Sequence, residues 1–182
     1  MEPQPEEVVS SRRTWVAIIT ATVIEVIAYG FLLFAILAAA SDIPESGGPP
    51  LALGLILVPF VFIALAFLSK RERAPIATLK AMGLWVLVLL PIGLLNPVVG
   101  LTAAFGVGGI VTLRTEPIYR LSYRVWAVVI TTTYVTALLF FAPPGGVFAG
   151  AVMPFPALGI ADMLAVRWAA VPAQDDDAEA SE

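Results

Sequence analysis

The sequence contains no cysteine and no histidine. That excludes disulfides, thiol redox chemistry, histidine-ligated haem, histidine-type zinc sites and every covalent mechanism that needs a Cys or His. Charge is also scarce. Charged residues make up 13% of the chain, against about 25% in soluble domains. Ten Lys and Arg against fourteen Asp and Glu leave no basic footprint, so no nucleic-acid partner is expected. No Gly-rich phosphate loop of the P-loop pattern occurs, and no lysine lies within an apolar run. No pair of acids shares one helix face. Neither an enzyme nor a cofactor nor a metal site is expected.

What the chain does have is apolar surface. Hydrophobic residues are 59% of its 182 positions, in runs at 15–40, 51–69, 81–113, 125–142 and 147–166. Runs of about 18 residues or more read as membrane-crossing helices. A chain of this size and class makes one bundle, residues 15–166. A cytoplasmic tail, 1–14, precedes it, and an acidic disordered tail, 167–182, follows it; DDDAEASE, 175–182, supplies most of the net charge of −4. SRRTWV, 11–16, looks like a twin-arginine export signal, and AAAS, 38–41, like a cleavage site. The apolar run between them has 26 residues, too long for a signal core of about 7–15. It reads as a first transmembrane helix.

All ten cations fall in four places: Arg12 and Arg13; Lys70, Arg71, Arg73 and Lys80; Arg114, Arg120 and Arg124; Arg167. Such clusters stay in the cytoplasm. The loops 41–50 and 143–146 carry no cation and belong outside. The charge-free run 81–113 has 33 residues. As one straight helix it would be about 50 Å long, against a hydrocarbon core of about 30 Å. Lys80 and Arg114 flank it on the same side, so an even number of crossings separates them. Asn96-Pro97 supplies the turn, Asn as a cap and Pro as a first helical residue. A hairpin that dips in and returns is the alternative. The expected fold is an all-α integral membrane protein of six helices, 15–40, 51–69, 81–95, 97–113, 125–142 and 147–166. Both termini are expected to be cytoplasmic and the location the cell membrane.

Small residues let membrane helices approach closely. Gly100, Ala104 and Gly108 are spaced by four, as are Gly146 and Gly150, then Ala157, Ala161 and Ala165, and Ala17 and Ala21. These ladders serve packing within the bundle or against a partner, a second copy or another membrane protein. In the last helix MPFP, 153–156, places Pro154 and Pro156 mid-span, which predicts a kink or a break. Pro59 and Pro91 are further kink candidates.

Glu25 is the sharpest polar feature, about 15 Å of rise beyond Trp15 and so near mid-membrane. Its helical neighbours Ala21, Thr22, Ala28 and Tyr29 turn it toward the bundle. Thr131, Thr132, Thr133 and Thr136 lie at similar depth on the fifth helix. With no intramembrane cation beside it, Glu25 is expected as a neutral, hydrogen-bonded acid. It either staples the first helix to the fifth or serves as a proton, cation or ligand site. Asp162 reads as an anchor near Arg167. The segment RTEPIYRLSYR, 114–124, reads as a short interfacial helix whose Arg114, Arg120 and Arg124 contact anionic headgroups, with Tyr119 and Tyr123 as an aromatic face.

Six helices, 182 residues, both ends inside and the Ala17/Ala21 pair together resemble the S-components of energy-coupling-factor vitamin transporters. The resemblance implies a substrate-binding membrane component that docks through its first helix. Two main functions follow, with an oligomeric channel as a third. One is a non-catalytic subunit or scaffold packed against other membrane proteins. The other is a small transporter or substrate-binding component centred on Glu25. A polar-solute path needs several polar lining groups, and the sequence offers few, which ranks the subunit first. A bound lipid or apolar molecule fits either.

Overall fold

The computed structural model describes residues 11–41, 47–71, 73–113, 120–140 and 145–169. Among them every regular element is a helix: α1 Ser11–Ala39, α2 Gly48–Leu68, α3 Ala74–Leu95, α4 Pro97–Thr112, α5 Arg120–Leu138, α6 Gly145–Val152 and α7 Pro154–Ala169. Three of these, α1, α2 and α3, are long and apolar enough to cross a membrane, and the bent α6–α7 pair makes four if it is one span.

Helices α1 and α2, α3 and α4, and α4 and α5 pack antiparallel, and α1 runs antiparallel to the α6–α7 pair. Leu32 of α1 meets Gly54 of α2, and Ala35 meets Gly47. Gly93 of α3 meets Gly100 of α4, while Ala81 meets Gly108. Tyr134 of α5 lies on Gly106, and Tyr123 shares a hollow with Leu113. Tyr29 meets Gly150, and Ile18 meets Gly159.

The break at Asn96 is local chemistry. Its side-chain Oδ1 accepts from the Val99 N–H at 3.2 Å, with Pro97 in the first turn. The hairpin closes because Gly100 has no side chain; a Cβ there would overlap the Gly93 backbone. Several expected boundaries change: the first helix begins at Ser11 rather than 15 and the fifth at Arg120 rather than 125. The third helix begins at Ala74 rather than 81, so Lys80 lies within it. At 22 residues it is about 33 Å long, a full span. The fourth helix remains short, 16 residues. Most of its residues are buried by the others, and a helix walled off from lipid has less need to match the hydrocarbon thickness.

The core gathers round Phe105 of α4. Phe62 of α2, Trp85 of α3 and Phe155 of α7 surround its ring, with centroids 6.2, 5.8 and 6.4 Å away. Ring pairs at such separations are attractive beyond the area they bury. On the outside, α3 exposes Leu79, Leu87 and Leu90, and the hairpin tip carries Leu94 and Leu95 at 86% and 88% exposure.

The α2–α3 turn holds two non-glycine residues at positive φ, Lys70 (53°) and Arg73 (52°). The Arg71 N–H donates to Ala66 O and the Lys70 N–H to Phe67 O. This is a Schellman end with lysine at the position glycine usually takes.

Pro59 and Pro91 lie within continuous helices. The prolines of MPFP act differently. Helix α6 ends at Val152, α7 starts at Pro154, and the axis turns by 55°.

Candidate functional site

The break generates a polar centre. An N–H bonds to the carbonyl four residues earlier in an α-helix. Pro154 has no N–H, so the Gly150 carbonyl loses its helical partner. Thr102 Oγ1 of α4 lies 3.1 Å from that carbonyl and 2.8 Å from its own Val98 carbonyl, and donates to them. Tyr29 OH of α1 donates to Val98 O at 3.1 Å and lies 3.4 Å from Thr102 Oγ1. Gly150 must be glycine here, because a Cβ would press on both hydroxyls. Three helices are thus tied at the point where one of them breaks.

Glu25 stands one helical turn before Tyr29. It is completely buried, and neither carboxyl oxygen has a hydrogen-bond partner. Tyr134 of α5 lies within electrostatic reach of it. Tyr134 OH and Thr131 Cγ2 occupy the space that Gly106 leaves open on α4. Thr131 Oγ1 and Tyr134 OH are buried and paired at most with each other. The arrangement is a carboxyl with both oxygens unbonded, near a Thr131–Tyr134 hydroxyl pair and a tied set made of Tyr29, Thr102 and Gly150. Burying such groups unpaired costs roughly 1–3 kcal/mol each.

Several sequence expectations are corrected. Thr132, Thr133 and Thr136 do not face Glu25; all three are exposed on α5, and Thr133 Oγ1 donates back to Val129 O. Neighbours on a helix point about 100° apart, so four clustered threonines cannot share one inward face. Thr131 alone of them is buried, and the sequence reading missed Tyr134 and Thr102. The hydrogen-bonded staple between Glu25 and α5 is also absent. Ala17 and Ala21 are fully buried, so the docking face implied by the resemblance to S-components is turned inward. Gly100, Ala104, Gly108, Gly146 and Gly150 are likewise buried. Arg120, Tyr123 and Arg124 belong to α5 itself rather than to a separate interfacial helix. Arg114, Pro117, Tyr119 and both expected outer loops, apart from residues 41, 47–50, 145 and 146, lie outside the described residues. Asp162 of α7 is half-buried and within electrostatic reach of Tyr123.

The described cations gather at one end. Arg12, Arg13 and Lys70 line one hollow, and Arg71, Arg73, Lys80, Arg120 and Arg124 line another. Trp168, next to Arg167, packs on Trp126 with ring centroids 5.3 Å apart. Compared with known protein families, curated proteins and solved structures, the chain matches none.

Proposed function

We propose that this chain is a small membrane transport component with a protonatable site at Glu25, exchanging a proton or monovalent cation across a six-helix bundle. One observation carries the reading: a fully buried carboxyl with both oxygens unbonded, within electrostatic reach of the Tyr29 and Tyr134 hydroxyls. An acid that only stapled helices would spend its oxygens on bonds. An intramembrane acid with open bonding capacity is a functional group by default. The broken α6–α7 pair beside it is the kind of element that lines binding sites in transporters.

The reading takes six crossings with both termini cytoplasmic. The clustering of Arg12, Arg13, Lys70, Arg71, Arg73, Lys80, Arg120 and Arg124 at one end favours that polarity under the positive-inside rule. The location is then the cell membrane.

The test is proton movement in proteoliposomes under an imposed pH gradient. Wild type should respond, and Glu25→Gln should fold normally and lose the response. Unchanged flux in the Gln variant would make Glu25 structural.

A second reading, a non-catalytic subunit or scaffold, is favoured by one observation. Gly30 on α1 is exposed, with open space where a Cβ would be. It floors an apolar groove of about 430 Å³ between Val26, Phe34 and Pro50. A second copy of this chain seated there would bring Gly30→Cys residues together. Disulfide-linked dimers in native membranes would favour the subunit; their absence would count against it.

A further inference from the structure

The hollow at the cationic end has the chemistry of an anion site. It measures about 290 Å³ and is lined by Arg71, Arg73, Lys80, Arg120 and Arg124. A second hollow of about 230 Å³ adjoins it, sharing Arg71, Val111, Arg120 and Arg124, and adds Tyr123 to the wall. Among the described residues no acid lines either hollow, and Asp162 of α7 lies within electrostatic reach of Tyr123. A cluster with this excess of cations attracts anions.

The polar groups point the same way. Tyr123 is 1% exposed, and its hydroxyl has no hydrogen-bond partner. Arg120 Nε is buried and unbonded as well. Both are donors, and guanidinium groups suit the oxygens of a phosphate, which they bind in pairs. The first turns of α3 and α5 border the hollow, and a helix N-terminus carries partial positive charge. The α2–α3 turn brings Arg71 and Arg73 to the wall by holding Lys70 and Arg73 at positive φ.

We propose that these residues form a binding site for a phosphate-bearing anion, with Tyr123, Arg120 and Arg124 as its principal donors. Two sources carry that chemistry, an anionic lipid headgroup and free phosphate. Ile76 and Val128, which line the hollows, are half-exposed and apolar. They offer an acyl chain a path from the site to the bilayer. The site is separate from Glu25 and does not depend on its role.

The experiment uses the full chain in mild detergent. Native mass spectrometry follows retention of phosphatidylglycerol against phosphatidylcholine, and thermal shift follows inorganic phosphate. Wild type should retain phosphatidylglycerol selectively. Arg120→Gln with Arg124→Gln should lower retention by about tenfold or more, because charged hydrogen bonds are lost. Tyr123→Phe keeps the buried ring and removes one donor, so it tests the site even where the double variant fails to fold. It should weaken binding by roughly tenfold. Arg12→Gln with Arg13→Gln, at the same end but outside the hollow, should change little. A phosphate shift lost in Tyr123→Phe, without lipid preference, supports the same site with a soluble ligand. Absence of both responses, or an equal loss from the Arg12 and Arg13 variant, would overturn the proposal.

Discussion

Thr102 Oγ1 lies 3.1 Å from the Gly150 carbonyl, the group that Pro154 deprives of its helical hydrogen bond. A side chain on α4 thus completes the backbone of the broken α6–α7 pair. In an apolar surrounding this is how a helix break is kept without an unsatisfied carbonyl.

The first prediction concerns that bond. Thr102→Val keeps the shape and removes the hydroxyl, leaving Gly150 O without its donor while Tyr29 OH keeps its bond to Val98 O. Thermal unfolding in detergent should show a loss of about 1–2 kcal/mol. Thr102→Ser, which retains the donor, should lose less.

The α3–α4 hairpin rests on backbone contact between Gly93 and Gly100. Gly100→Val should force the helices apart and destabilise by about 1–3 kcal/mol, the usual range for overpacking. Gly83 is exposed on α3 with open space around it. Gly83→Ala should be neutral or gain up to about 1 kcal/mol from helix propensity. Equal effects of the two changes in a melting assay would contradict the close crossing.

Glu25→Met has similar volume and no unbonded oxygens. Because Glu25 makes no hydrogen bond, this variant should be more stable than wild type by about 1–3 kcal/mol. A melting temperature below wild type would show that the carboxyl does have structural partners.

At Lys70, φ is 53°. Glycine adopts that backbone without strain, whereas a β-branched residue resists it. Lys70→Gly should therefore melt above Lys70→Val, by about 1–2 kcal/mol.

Orientation is accessible because the chain has no cysteine. Single cysteines at Ser46 and Gly145 should react with an impermeant reagent in intact cells, while one at Ser181 should not. Labelling of Ser181 alone would reverse the assigned orientation.

By itself the sequence determined what depends on a few neighbouring residues. Apolar runs made helices, Asn96-Pro97 ended one and began the next, and MPFP broke the last. Each is a matter of backbone donors and local sterics. Tertiary structure alone decided which faces turn inward. On α5 threonine occupies inward and outward positions alike, so residue type does not mark the buried side, and Thr131 and Tyr134 could not be told from Thr132, Thr133 and Thr136. Their orientation is set by the space at Gly106 on another helix. The small-residue ladders read equally as inner or outer surfaces until packing buried them. The hollow at the cationic end is assembled from the α2–α3 turn, α3, the end of α4 and the start of α5. Groups that far apart along the chain meet only because the helices pack antiparallel.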